Sequence, residues 1–336
     1  MLKASFKKHT LEFKRPSGTS RGILTTKDSW IIKVWDDENP NQKGTGEASI
    51  IKTLNPEWNE EYEKKLENFC NEIDTLKLED LNDYPSIRFG LEMALFDLKN
   101  GGNEQYFDNH FSQGKDSILI NGLIWMGSEE FMLEQLQQKL ELGFKCIKMK
   151  IGAIDFEAEL GILKSIRKKF DKNQIELRVD ANGAFSPEDA LDKLHALSVF
   201  DLHSIEQPIR QGQWDEMKKL CSETPFPIAL DEELIGVTER KTKEQLLETI
   251  QPQFIILKPS LVGGFTASDE WIELAEKKNI GWWITSALES NVGLKALAQY
   301  TYSKGNPMPQ GLGTGQLFTN NSPTNLDLEG DRLWQR

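Results

Sequence analysis

Apolar and polar residues alternate over Ser5 to Phe13, again over Trp30 to Trp35, and on into GEASII. A period of two predicts strands with one buried face, here an antiparallel sheet. Over Glu57 to Leu76 and Ser86 to Lys99 the period lengthens to that of a helix, with Pro85 standing where a first helical residue tolerates a missing N–H. Between the first two strands lies RPSGTSRGILTTKD, rich in Gly, Ser and Thr. It predicts a mobile loop near residues 15–28, with a plain hairpin connection as the competing reading. Residues 1–112 are therefore expected to form an α+β unit.

From Ile118 the pattern becomes apolar strand, loop and amphipathic helix, repeated. Eight candidate strands can be counted: ILINGLIW, CIKMKIG, IELRVDA, LHSIEQP, PIALDEE, FIILKPS, GWWITSA and QGLGTGQ. Strands alternating with helices imply βαβ units, and eight such units close a (β/α)8, TIM-like barrel. Residues 113–318 are expected to form it, with the N-terminal unit as a cap. Ser186, Pro187, Glu188 and Asp189 mark a helix start as N-cap, N1 and acidic first turn. The polar tail 319–336 is expected to pack back on the cap or end free.

Bulk properties narrow the function. A chain of 336 residues, 38% hydrophobic, can bury one large core beside an appended domain. Its net charge of −13 argues against nucleic acid or an anionic membrane as partner, since both demand a basic footprint. The opening MLKASFKKHTLEF has no apolar signal stretch and no later run reaches membrane-spanning length, so a cytoplasmic protein acting on a small molecule is expected. Cys70, Cys146 and Cys221 are odd in number and far apart, which fits a reducing compartment. His9, His110, His195 and His203 have no metal-ligand spacing, and no P-loop, G-x-G-x-x-G or nucleophile elbow occurs.

The candidate chemistry lies in five of the strands. Lys148 and Lys150 sit in CIKMKIG, Asp180 in LRVDANGAF, Glu206 in HSIEQPI, Asp231 in IALDEEL and Lys258 in FIILKPSLVGG. Each ends an apolar, β-branched run of the kind that normally excludes charge. Barrel sites form at the C-terminal ends of strands, so these groups would converge on one mouth. Lys148 and Lys150 share a face by strand parity. Three carboxylates at close range would repel one another unless a cation stood between them, and an oxygen-only set from three elements favours Mg2+. Such a cation and a neighbouring ammonium would lower the pKa of a buried lysine enough to make it a base. Proton abstraction beside a carboxylate, through an enediolate, uses these groups together. Glu232 and Glu233 compete with Asp231 for the metal role, and Glu233 shares its parity.

This ladder resembles that of the enolase superfamily, specifically its muconate-lactonising subgroup, in which a Lys-x-Lys, three metal carboxylates and a later lysine lie on successive barrel strands. The resemblance covers the whole chain and implies that the early loop closes over the barrel mouth. It assigns Asp180, Glu206 and Asp231 as the ligands of Mg2+, with Mn2+ a possible substitute, and settles the competition with Glu233. It makes Lys150 the base, Lys148 its partner and Lys258 the lysine across the barrel. Within the subgroup, KPSLVGG, ITSALESNVG, GLGTGQLF and Arg178 are most similar to members that dehydrate 2-succinyl-6-hydroxy-2,4-cyclohexadiene-1-carboxylate to o-succinylbenzoate in menaquinone biosynthesis. A syn dehydration is then implied, with Arg178 supporting the lysine pair. The last strand carries no acid for a substrate ammonium. Ser260, Gly263, Gly264, Ser286, Gly313 and Thr314 offer donors for a substrate carboxylate instead. The alternative on the same lysines is 1,1-proton transfer, as an N-acylamino acid racemase or dipeptide epimerase.

Overall fold

The computed structural model describes residues 1–19 and 22–336. Strands β1 (Leu2–Thr19), β2 (Gly22–Asp36) and β3 (Asn39–Ile50) form an antiparallel sheet in chain order. Trp30, Ile32, Val34, Ala48 and Ile50 bury one face of it against Tyr62, Leu66 and Leu91 of helices α1 (Tyr62–Asn71) and α2 (Pro85–Lys99). Backbones meet directly at this junction. A Cβ added at Gly46 would lie 1.8 Å from the Gly90 carbonyl oxygen, and one at Gly44 1.9 Å from that of Ala94. Glycine is thus required there by close approach rather than by a turn.

The segment near 15–28 departs from the expected loop. The β1–β2 ladder runs on through Ser17↔Leu24, Gly18↔Ile23 and Thr19↔Gly22, after a register shift beyond Glu12; residues 20 and 21 lie outside the described residues. A polar composition marked exposure, not loss of pairing, because a two-stranded ladder needs only backbone groups and Thr25 and Thr26 favour strand.

The expected first barrel strand is divided into β4 (Ile118–Leu119) and β5 (Gly122–Ile124). With it, β6 (Cys146–Lys150), β7 (Glu176–Asp180), β8 (Ser204–Glu206), β9 (Ile228–Leu230), β10 (Phe254–Leu257) and β11 (Gly281–Ile284) make a seven-stranded parallel sheet, β5 to β11 in chain order. The register puts Lys150, Asp180 and Glu206 side by side in one row. Apolar residues such as Ile147, Val179, Ile205 and Leu257 alternate with them and join one large core. Helices connect the strands. Ser186 and Asp189 exchange hydrogen bonds as a helix start should, although regular helix begins at Ala190.

The expected eighth strand is reduced to bridges at Gln310 and Gly311. These pair in parallel with Ile120 beside one end of the sheet and Thr285 beside the other. The Gly-rich GLGTG sequence then turns away, since it has few side chains to hold a ladder. The tail touches both units. Its hairpin, β12 (Leu326–Glu329) and β13 (Arg332–Gln335), pairs with β4, while Thr319 and Asn320 hydrogen-bond to the backbone of β1. Among the described residues no helix is long and apolar enough to cross a membrane.

Candidate active site

The strand ends deliver the ladder residues to one place. Lys148 is 7% exposed, Asp180 1%, Glu206 0% and Asp231 2%. The Lys148 ammonium donates to Glu206 Oε2 at 2.6 Å and Asp180 Oδ2 at 3.4 Å, and that of Lys150 to Asp180 Oδ2 at 3.1 Å. Lys258 pairs with Asp231 at 2.5 Å. A cavity of about 280 Å³ opens on Lys148, Lys150, Asp180, Asn182, Glu232 and Lys258. Leu24 and Ile51 of the N-terminal unit and Leu288 add apolar wall. This is the low end of the range for small-molecule sites.

Burial works against every charge here, and the partners decide the outcome. Burial pushes the Glu206 carboxyl up to about 7, with Lys148 opposing the rise and Asp180 and Asp231 adding to it. Burial and then the charge of Asp231 raise Glu232 to about 7 as well. For Asp180, burial is outweighed by Lys150 and Lys148, which hold its carboxyl below the ordinary range. The ammoniums of Lys148 and Lys258 are held up in spite of burial, chiefly by Glu206 and Asp231 respectively.

Among the described residues, no three His, Cys, Asp or Glu side chains stand close enough to cage an ion, because the lysines occupy the carboxylates. Nevertheless Glu206 Oε1, Asp231 Oδ1 and Glu232 Oε2 are buried and accept no hydrogen bond. Buried acceptors left unpaired cost about 1–3 kcal/mol each, and more when charged. Unpaired carboxylate oxygens at adjacent strand ends suit a hard cation.

Glu233, the parity competitor, is turned elsewhere: its carboxylate accepts from Gln207 Nε2 at 3.0 Å and Gly212 N at 2.7 Å. Glu232 lines the cavity in its place. Parity fails there because β9 ends at Leu230 and the chain enters a 3-10 turn, Glu232–Leu234. Asn182, which sequence reasoning does not single out, has φ of 44° in the Asn-Gly turn after β7. It accepts from Lys150 Nζ at 2.6 Å and donates to Glu232 Oε1 at 3.0 Å. The Asn-Gly pair was the available signal.

Arg178 is fully buried and faces Lys148 across the β6–β7 ladder. It donates to Glu176 Oε1 at 2.8 Å and Pro309 O at 3.0 Å, and stacks 4.4 Å over Trp283. Of the six expected substrate donors, Ser286, Gly313 and Thr314 line the cavity, the two hydroxyls 2.7 Å apart. Ser260, Gly263 and Gly264 do not. Ser260 donates to Glu289, and the glycines lie under α2, where a Cβ on Gly264 would collide with the Glu92 carboxylate. Their absent side chains make room for the N-terminal unit.

The described geometry has counterparts. Residues 132–323 match the family model "Enolase C-terminal domain-like". The chain belongs to the enolase superfamily. One member, the o-succinylbenzoate synthase of Desulfotalea psychrophila (strain LSv54 / DSM 12343), is 46% identical across 99% of this chain and 98% of its own. The crystal structure of MenC from Desulfotalea psychrophila LSv54 superposes with a TM-score of 0.88, at 43% identity and 99% coverage of both chains. Further off, the L-Ala-D/L-Glu epimerase of Bacillus subtilis (strain 168) is 24% identical over 87% of this chain and 82% of its own. The dipeptide epimerase of Enterococcus faecalis V583, complexed with Mg and L-Leu-L-Tyr, shares the superfamily fold at a TM-score of 0.85 and 19% identity, over 99% of this chain and 96% of that one.

Proposed function

We propose that the cavity dehydrates 2-succinyl-6-hydroxy-2,4-cyclohexadiene-1-carboxylate to o-succinylbenzoate, a carbon–oxygen lyase step of menaquinone biosynthesis in the cytoplasm. One observation carries the reading: three lysines and Asp180 converge on a single cavity in a chain whose full-length relative is an o-succinylbenzoate synthase. The scaffold of the reading is a closed (β/α)8 barrel with Gln310 and Gly311 as its eighth stave. Residues 1–112 form the cap.

Lys150, as the free amine, takes the proton α to the ring carboxylate, and the C–H electron pair moves into that carboxylate as an enediolate. The pair returns to expel the neighbouring hydroxyl, which leaves as water with the proton from Lys150. Proton and hydroxyl depart on the same face, a syn elimination. Lys258, reaching the cavity from β10, four strands along from β6, holds the negative charge of the enediolate. Lys148 lends positive charge beside Lys150. Asp180, Glu206 and Asp231 would hold Mg2+, or Mn2+ in its place, which when bound supplies charge for the same oxygens.

A second reading, 1,1-proton transfer on N-acylamino acids or dipeptides, is favoured by Lys150 and Lys258 entering one cavity from separated strands. The N-succinyl-L-Arg/Lys racemase of Bacillus cereus (strain ATCC 14579) is 22% identical over 88% of this chain and 82% of its own. The deciding experiment follows loss of the cyclohexadiene absorbance with Mg2+ and then with chelator. Rapid loss that chelator stops is expected. No loss in folded, metal-loaded protein, with deuterium entering an N-succinylamino acid instead, would replace the dehydration by racemisation.

A further inference from the structure

Trp125 follows the last residue of β5, one step past the pair Ile124↔Met149, and so comes level with Lys150. Leu123 and Trp125 share the strand parity of Lys148 and Lys150, and all four line the cavity, whereas Ile124 points the other way into the large core. The Lys150 ammonium lies over the Trp125 ring, 5.9 Å from its centre. The indole therefore stands at the mouth, within cation–π range of the proposed base. Its backbone is clamped by Gln135 of the helix Glu129–Glu141, whose amide accepts from Trp125 N at 2.9 Å and donates to Trp125 O at 3.0 Å. Gln135 thus satisfies, beyond the end of β5, the groups that a neighbouring strand satisfies within it. The ring itself is only partly buried, and it packs toward the apolar group that includes Ile51 and Leu288 of the cavity wall.

An indole that only braced the N-terminal unit against the sheet would need no open space before it. The reaction decides what occupies that space. Proton transfer brings the carbon acid to within about 3–3.5 Å of Lys150 Nζ. With Nζ itself 5.9 Å from the indole centre, a six-membered ring bearing that carbon can lie against the indole at the separation of about 4.5–7 Å at which flat rings pack. We infer that Trp125 is the platform against which the substrate's ring packs, and that it favours cyclic dicarboxylates over open-chain ones. The inference rests on the proposed dehydration, whose substrate and product both carry the reacting carbon in a six-membered ring. An N-acylamino acid has no ring at its α-carbon, so the same residue weighs against 1,1-proton transfer.

The test compares wild type, Trp125→Phe and Trp125→Leu as the full, Mg2+-loaded chain, by calorimetric binding of o-succinylbenzoate and of N-succinylalanine, an open-chain acid that also carries two carboxylates. Trp125→Leu should lose about 3–10-fold in affinity for o-succinylbenzoate, the worth of an aromatic pair, and about twofold or less for N-succinylalanine. Trp125→Phe should keep most of the affinity, and KM for the cyclohexadiene should follow the same order. Equal losses for the two ligands, the mark of a residue that only shapes the wall, or an unchanged affinity for o-succinylbenzoate would each overturn the inference. Binding requires no turnover. A wild type that leaves the cyclohexadiene intact, beside a selective loss of o-succinylbenzoate in Trp125→Leu, would remove the dehydration and uphold Trp125; steady turnover with equal losses would do the reverse. Thermal unfolding checks that Trp125→Leu is folded. Should it not be, tryptophan fluorescence decides on Trp125→Phe: the quench caused by o-succinylbenzoate should shrink when the indole is gone, and a quench as large as in wild type would overturn the inference.

Discussion

Two groups of buried acids in this protein are treated in opposite ways. Where the N-terminal unit meets the sheet domain, Glu47 accepts from Ser29 Oγ, Ser290 N, Ser290 Oγ and Gly293 N at 2.5–2.8 Å. Glu92 accepts from the backbone N–H of Phe265 and Thr266, at 2.5 and 3.1 Å. Both carboxylates stand at the first turns of helices, Asn291–Ser303 and Gly264–Lys277, where free N–H groups and the helix dipole favour negative charge. These acids are latches: each oxygen has its donors. At the cavity, Glu206, Asp231 and Glu232 each keep one buried oxygen with no donor. Burial alone therefore says nothing about role. Between these two groups the difference is whether the lone pairs are used, and a spare oxygen alone does not make a site, since Glu57 and Glu159 each keep one away from the cavity.

The comparison breaks first at the cavity. Lys150→Ala should lower kcat by about 10²–10⁴-fold, the range for loss of a general base, while the urea midpoint stays near wild type because its side chain belongs to a polar mouth and not to packed core. Turnover close to wild type would remove Lys150 from the proton-transfer role. At the latch the outcome should be reversed. Glu47→Ala strands two hydroxyls and two backbone N–H groups in a dry interface and should cost about 2–4 kcal/mol in urea unfolding, with activity falling only in step with the folded fraction. Unchanged stability there, or a kcat loss beyond the unfolded fraction, would blur the distinction between the two regions.

Much of this was legible in the sequence, and the reason is local. Lys148, Lys150, Asp180 and Glu206 end regular strands, where a period of two fixes which side chains share a face. Asp231 and its neighbours lie one step past β9, in a 3-10 turn that parity does not govern, so Glu232 was passed over. Glycines were the other source of error. In KPSLVGG they read equally well as donors to a ligand or as room for another backbone, and only the position of Glu92 decides between them. At 15–28 the sequence leaves a mobile loop and a plain hairpin connection both open, because its composition signals exposure while its pairing is carried by backbone groups.

The smallest effect tests the comparison most directly, because it reads the unused oxygens through pH. In the absence of metal the Glu206 carboxyl titrates at about 7 in the folded chain, against 4.5 for an ordinary glutamate. A raised acid binds its proton more tightly folded than unfolded. Its contribution to stability is therefore complete below about pH 4.5 and is lost as pH climbs through about 7, where the buried carboxylate must ionise. With chelator present, stability in urea unfolding should fall across that window by an amount of order 1–3 kcal/mol, and Glu206→Gln should remove its share of the fall, Glu232, also raised to about 7, keeping the remainder. Glu47→Gln should leave it in place. Adding Mg2+ should reverse the slope, since a cation stabilises the ionised form and protons then compete with it. If the chelated protein keeps its full slope after Glu206→Gln, the raised acid lies elsewhere, and the unpaired oxygen of Glu206 no longer distinguishes the cavity from the latch.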